Sequence, residues 1–389
     1  MCARLVTAGL PEMADGGVLL TACVPSSNLA PLEAIKAKFG AQELSLVTLF
    51  VSPNADFDGL VAEAELSFPD TDVVACTTAG EISDIGYDEG QIIAVGFPAS
   101  GFAASAMLIE AIDNLDAQPL IDQIALERVR LQERYQEMKE GFAFLIVDGL
   151  SLSEDTLTAT ISPALRDMPV FGGSAGDGTD FSETRVALNG KVAQTAAVLT
   201  LVRTKFRTRV FSLDHLVPTD EQMVVTEAVP EQRIVKQINA EPAAREYARI
   251  VGKDPEQLDR FTFASHPVVV RIGGSHHVRA IQQVNEKGEL VFFSAIDEGM
   301  VLTVAKPQNM ASHLRRKMAE LSREATPVNI LSCDCILRRI EAEQSQMGHE
   351  LSSILSEHNV TGFSTYGEQI GPLHVNHTMS GVAIYRGNE

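Results

Sequence analysis

Nearly unbroken apolar runs of strand length, separated by helical patterns, constrain this chain more than any other feature. Gly17–Val24 (GVLLTACV), Leu44–Val51 (LSLVTLFV), Asp72–Thr78 (DVVACTT) and Gly141–Val147 (GFAFLIV) are such runs. A strand that alternates apolar and polar residues needs cover on one face, whereas a continuous apolar run needs it on both. Between the runs stand Leu32–Phe39, entered at Pro31 and ended by Gly40, and Phe57–Leu66, entered through Pro53-Asn54-Ala55-Asp56. Both have helix spacing and helix punctuation. The expected fold class is α/β (α+β mixed): two lobes, each a mixed or antiparallel β-sheet packed with helices.

Further along, Gln91–Phe97 and Phe102–Ile109 follow with no room for a helix between them, and Leu120–Lys139 and Glu154–Leu165 read as helices. Asn189-Gly190, between Thr184–Leu188 and Lys191–Val202, is a strong hairpin signal, and Lys205–Ser212 extends that sheet. Leu213–Gln222 is polar and carries Pro218, which places the lobe boundary there, dividing the chain into residues 1–216 and 217–389. The second lobe reads as the strands Met223–Ala228 and Arg233–Ile238, a helix from Pro242 to Val251, and a hairpin-rich stretch. Met300–Ala305, a helix over Gln308–Glu324 and the strand Pro327–Cys333 come next. A helix over Leu337–Ser356 and strands near Gly362–Tyr366 and Thr378–Tyr385 close the chain. No internal repeat shows at a fixed short period.

The chain of 389 residues carries a net charge of −21. That argues against a nucleic-acid partner, since phosphate recognition needs basic patches. No apolar run reaches the ~18–20 residues of a membrane span, and the first residues lack the apolar core of a signal peptide. A cytoplasmic location is expected. Five cysteines (Cys2, Cys23, Cys76, Cys333, Cys335) are too scattered for a disulfide framework.

Candidate binding residues concentrate in Phe263–Gly299, where three of the nine histidines lie: His266, His276 and His277. Pro267 puts His266 at the rim where the strand Val268–Ile272 begins. A turn at Gly273-Gly274 leads into His277–Val284, and a Gly288-bearing loop leads into Leu290–Ile296. We expect this antiparallel sheet to form one wall of a ligand pocket, although a rim histidine that merely bonds to backbone is the plainer reading. Elsewhere, Phe171–Asp177 (FGGSAGD) lacks both GxGxxG and a Walker lysine, so a tight strand crossing fits it better than a nucleotide loop. Thr77-Thr78-Ala79-Gly80-Glu81 ends a strand with hydroxyls and a carboxylate, as a binding loop or a helix cap would. Cys333-Asp-Cys335, joined by Cys76, falls short of zinc spacing; buried thiols are the plainer reading, and an iron–sulfur cluster is the alternative. Near the end, His374, Asn376 and Thr378 would share one strand face beside Glu368. No nucleophile–base signature stands out, and an enzyme is not expected.

VVACTTAGEI (73–82), FGGSAGD (171–177), VPTDEQMVVTEA with VKQINAEPAAREY (217–247), and TYGEQ with HVNHTMSGVAI (365–384) together resemble the FIST sensor domains, the N-terminal and C-terminal parts in order. With ASHPVVVRIGG and CDCILRR, the chain resembles the nitric-oxide-sensing, haem-binding branch (NosP). The resemblance implies a bacterial sensory protein that binds haem b, responds to nitric oxide, and regulates a separate histidine kinase or a diguanylate cyclase/phosphodiesterase by contact, as in two-component and cyclic-di-GMP signalling. It implies a histidine ligand to the iron: His266 first, then His374, then His276 or His277. Arg271 and Arg279 would meet the propionates. A homodimer is left open. The competing reading is a module for an amino acid or related metabolite, using Thr77, Glu81, Arg279, Glu368 and Asn376.

Overall fold

The computed structural model describes residues 18–272 and 274–386. Cys2, Gly17, Gly273 and the leading segment read for a signal peptide lie outside that range.

Three successive units of like topology build the main body. The first contains β1 (Leu20–Pro25), α1 (Pro31–Phe39), β2 (Leu44–Val51), α2 (Phe57–Ser67), β3 (Asp72–Thr77), the short hairpin β4 (Glu81–Ser83) and β5 (Gly86–Asp88), and β6 (Gln91–Pro98). The second contains β7 (Phe102–Ile109), α3 (Ala117–Arg134), β8 (Glu140–Val147), α4 (Glu154–Leu165), β9 (Val170–Ser174), the hairpin β10 (Val186–Leu188) and β11 (Lys191–Ala193), and β12 (Ala197–Thr204). The third opens with β13 (Arg207–Leu213) and is then interrupted by an inserted lobe. That lobe holds β14 (Leu216–Val229), β15 (Ile234–Ile238), β16 (Glu241–Pro242), α5 (Ala243–Val251), α6 (Arg260–Ser265), β17 (Val268–Ile272), β18 (Ser275–Arg279), β19 (Ile281–Val284), β20 (Leu290–Phe292) and β21 (Val301–Pro307). The third unit resumes with α7 (Met310–Leu321), β22 (Asn329–Cys335), α8 (Ile336–Gln344), α9 (Gly348–Glu357) and β23 (Val360–Thr365). It ends with the hairpin β24 (Glu368–Ile370) and β25 (Leu373–Val375), and β26 (Met379–Tyr385).

Each unit forms a sheet in the same order, and each sheet is completed by a hairpin from another unit. The orders are β1-β6-β2-β3-β10-β11, β7-β12-β8-β9-β24-β25 and β13-β26-β22-β23-β4-β5. In each, one parallel pair with a helical crossover (β2/β3, β8/β9, β22/β23) stands among antiparallel neighbours. The second unit thus lends its hairpin to the first sheet, the third to the second, and the first to the third. Three sheets enclose one core as a prism. Phe50 of the first sheet stacks on Phe363 of the third at 4.5 Å, and meets Phe144 of the second edge-on at 6.3 Å. Phe144 in turn stacks on Phe171 at 4.8 Å. Such pairs contribute roughly 0.5–1.5 kcal/mol each beyond their burial. The outer faces are covered by α1 and α2, by α3 and α4, and by α7 and α9, which is why the sequence shows continuous apolar runs.

Where strands leave one sheet for the next, backbones touch. The carbonyls of Thr77, Ser174 and Ser364 accept from the amides of Gly176, Tyr366 and Ala79 at 3.1, 3.3 and 2.9 Å. A Cβ on Gly176 would lie 2.8 Å from that of Ala79, and one on Gly173 2.5 Å from Thr365. The FGGSAGD loop is glycine-rich because it crosses another strand, not because it cradles phosphate.

Several expected elements differ. Lys205–Ser212 does not extend the preceding sheet but crosses to pair with β26. Lys191–Val202 splits between two sheets at Gln194–Ala196. The polar, proline-bearing stretch 213–222 is largely strand, tolerated because β14 is irregular between Pro218 and Gln222. Leu337–Ser356 is two helices that turn at Ser345–Met347. The inserted lobe is a bent antiparallel sheet, ordered β18-β17-β21-β14-β15-β20-β19, around α5 and α6.

Candidate functional site

A cavity of about 300 Å³ lies at the carboxyl ends of β2 and β3, the position where α/β sheets commonly take ligands. All three units line it. The first supplies Ser52–Asn54, Ala79–Glu81, Glu89 and Gly90, the second Asp177–Asp180, and the third Ile336, Arg339, Ile340 and Glu343 on α8. Arg339 is buried, donating to the Asp88 carbonyl and to Glu89, both at 2.9 Å, with Glu343 3.5 Å away. Five acidic residues (Glu81, Glu89, Asp177, Asp180, Glu343) line the cavity with this one guanidinium, a formal balance of −4.

Two of those carboxylates already have structural duties. Burial raises Glu81, and bonds from the Thr78 hydroxyl at 2.5 Å and the Gln91 amide at 3.0 Å offset part of that rise. The Gln91 bond fastens the start of β6. Glu368 does the same in the third unit, pairing with Thr365 and with the amide and hydroxyl of Thr378 just before β26; burial pushes it up to about 8. In the second unit Asp148 takes the part, accepting from the Thr195 amide ahead of β12 at 2.5 Å. Glu368 is therefore a strand clasp walled into the core, and Glu81 is a clasp that also borders the cavity. Thr77 receives the Arg185 amide at 3.1 Å. Burial works to raise Asp177, but bonds from the Tyr366 hydroxyl and the Glu183 and Ser182 amides outweigh it and hold its carboxyl below the ordinary range.

The inserted lobe meets the prism along a second polar seam. Arg233 donates to Glu154 at 2.6 Å and reaches Asp155 at 3.3 Å, at the start of α4. Arg279 donates to the His374 carbonyl at 3.2 Å and stands 3.9 Å from Asp155. Phe293 lies against Phe181 and Tyr366. Here Nε2 of His374, Oδ1 of Asn376, Oε1 of Gln369 and Nε of Arg279 are buried without partners among the described residues, places that ordered water commonly fills.

The expected iron ligands are not brought together. His374 is buried with Nδ1 3.3 Å from Gln369, and the Gly367 backbone closes over its ring. A Cβ there would lie 2.3 Å from Cε1 and 2.8 Å from Nε2, leaving no room for a porphyrin at His374. Asn376 and His377 fall after β25, and His377 turns at φ 56°, so the expected alternation along 374–378 breaks. His276 is exposed and His277 half-buried on the edge strand β18, opposite Arg271 and Val270 respectively. Arg271 is exposed, whereas Arg279 is committed to the seam. His266 is the C-cap of α6, two residues ahead of the start of β17. Its Nδ1 is held by Ser265 at 2.9 Å and the Thr262 carbonyl at 3.2 Å, and among the described residues no bond engages its Nε2. With Nδ1 fixed and Nε2 unbonded, His266 has a nitrogen to offer a metal. It does not line the cavity at the ends of β2 and β3.

Cys76 and Cys333 pack in the apolar core of the prism, and Cys335 is buried at the start of α8. Burial raises all three thiols far above the ordinary value. Among the described residues these sulfurs do not converge with enough further ligands to hold a metal.

Sequence reasoning missed a buried group beside α8: His215, Asp334, Arg338, Glu341 and His377. Glu341 lies 3.0 Å from Nε2 of His215 and 2.7 Å from Nε2 of His377, a set close enough to hold a metal ion. Its outer partners are wrong for one. Metal-bound imidazoles donate their other N–H, yet Nδ1 of His215 faces the Arg338 guanidinium at 2.9 Å, which has only donors. Among the described residues Nδ1 of His377 has no partner. The arrangement is a protonic network.

The prism and its lobe define a mixed α/β binding protein, and no helix among the described residues is long and apolar enough to cross a membrane. The family model for the FIST N domain matches residues 45–241 and that for the FIST C domain matches residues 243–371. The chain belongs to the FIST family, sensory domains that bind small ligands in signal transduction and are not catalytic. No curated protein matches it.

Proposed function

We propose that this chain senses a small polar molecule carrying an ammonium group, an amino acid or related metabolite, bound in the cavity at the ends of β2 and β3. One observation carries the reading: five carboxylates against one buried guanidinium in a cavity to which all three units contribute. A field of that sign concentrates cations. Occupancy would tie the loop 177–180 and α8 to the first sheet. The signal would pass by contact to a separate protein, a histidine kinase or cyclic-di-GMP enzyme.

Thermal denaturation against amino acids, diamines and dicarboxylates tests this. A binder at a hundred times its dissociation constant stabilises by about 2.7 kcal/mol. We expect amines to raise Tm and Glu343→Gln with Asp180→Asn to abolish the rise. Dicarboxylates acting as strongly as amines would defeat the reading.

A second reading places haem b at His266 and makes nitric oxide the signal. It is favoured by one observation, the Nδ1 of His266 fixed by a main-chain carbonyl as in metal-bound histidines. An absorption band near the usual haem position, lost in His266→Ala, would support it. Failure of the purified protein to take up added haem would remove it.

A further inference from the structure

The inserted lobe is joined to the prism through a two-strand neck, and one residue of that neck is sealed inside the prism. The chain leaves at Leu213 and returns at Met310. Leu216 pairs with Pro307, and the Gln308 amide donates to the His215 carbonyl at 2.8 Å. His215 is 1% exposed. Since Arg338 is only a donor, Nδ1 of His215 must accept from it. The ring proton therefore sits on Nε2 and is donated to Glu341 at 3.0 Å. Arg338 is fixed in turn by Asp334 at 2.6 Å, which is bonded to Tyr87. One tautomer of one neutral imidazole satisfies both neighbours.

We propose that His215 is a proton-sensitive latch: neutral, it fastens the neck of the inserted lobe to α8, and protonated, it lets the neck go. An imidazolium carries N–H at both nitrogens, so its Nδ1–H would point at the Arg338 N–H. The groups facing the ring are Arg338 and Glu341 from α8, His377 from the loop before β26, and His313 from α7, with Arg316 and Lys317 behind His313. Glu341 favours the cation; burial and Arg338 oppose it and prevail, holding the docked ring below its ordinary 6.5. The docked state thus binds fewer protons than the released one, and docking weakens as pH falls through that value. With one proton involved, the opening constant rises by about tenfold per pH unit. The latch does not depend on which ligand fills the cavity. It reaches the cavity all the same, because Arg339, the next residue on α8, lines it.

Hydrogen exchange of the neck amides (Lys306, Gln308) in the full chain, corrected for intrinsic rates, reads the latch. Protection should fall between pH 7.5 and 5.5 while the prism strands keep theirs. His215→Gln is the deciding variant. Its amide oxygen can accept from Arg338 and its NH₂ can donate to Glu341, so it mimics the neutral ring without titrating. The acid loss should vanish in His215→Gln and persist in His313→Gln. A loss retained in His215→Gln, or removed by His313→Gln, overturns the proposal. Should His215→Gln not fold, Glu341→Leu stands in: it leaves the Nε2–H of His215 without its acceptor, so the neck amides should lose protection already at pH 7.5, and unchanged protection overturns the proposal.

Discussion

The inserted lobe is fastened to the prism in two places by opposite chemistries. At the seam, the buried guanidinium of Arg233 sits between Glu154 and Asp155, on the first turn of α4, where the helix dipole also favours negative charge. At the neck, a neutral imidazole is shared between a cation and an anion, and histidine is the side chain whose ordinary titration falls between about pH 5 and 8. One attachment is permanent and the other adjustable. A lobe held this way can loosen at its neck without departing.

The sharpest way to break that contrast is to remove the permanent attachment. Arg233→Met would leave Glu154 buried without its partner, and breaking a buried pair from one side typically costs about 3–5 kcal/mol. We expect the Ala295 amide, which donates to Asp155 at 2.9 Å, to lose its exchange protection at pH 7.5. The neck should remain protected there. A neck that opens together with the seam would show that the two attachments are one cooperative unit. Tyr366→Phe is milder. The Tyr366 hydroxyl bonds the Asp177 carboxylate and accepts from its amide at 3.0 Å, so removing it strands a buried donor, at about 1–3 kcal/mol. We expect a lower midpoint in urea, with the pH response of the neck intact.

How far this architecture is legible in the chain follows from the range of the interactions. The long strands and most helices are written locally, in apolar runs, Pro31 and Gly40. The hairpins β4–β5 and β24–β25 are not, because strands of three residues carry too little pattern. Their exchange between sheets is decided by backbone contacts such as Ala79 to Ser364, 285 positions apart. The threefold repeat is hidden by the inserted lobe and by loops of unequal length. Its trace is Thr77-Thr78-Ala79-Gly80-Glu81 against Ser364-Thr365-Tyr366-Gly367-Glu368, with the carboxylates clasping equivalent strands. The histidine-rich stretch that drew attention lies largely on an edge hairpin. The buried network at α8 escaped notice because His215 and Glu341 are 126 residues apart. Only Asp334 and Arg338 show the i, i+4 spacing that could have pointed to it.

The smallest effect is the most discriminating about the seam itself. Asp155 keeps 22% of its side chain exposed and stands 3.3 Å from Arg233 and 3.9 Å from Arg279, so solvent screens it as it does not screen Glu154. Asp155→Asn keeps an acceptor for the Ala295 amide and removes one charge. It should cost under about 1 kcal/mol, the range of partly exposed pairs. Glu154→Gln, which takes the charge from beside the buried guanidinium, should cost several times more in the same urea titration. Equal costs would mean that Arg233 is held by the acidic first turn of α4 as a whole, not by a single buried pair, and the permanent attachment would then yield to salt as any surface charge cluster does.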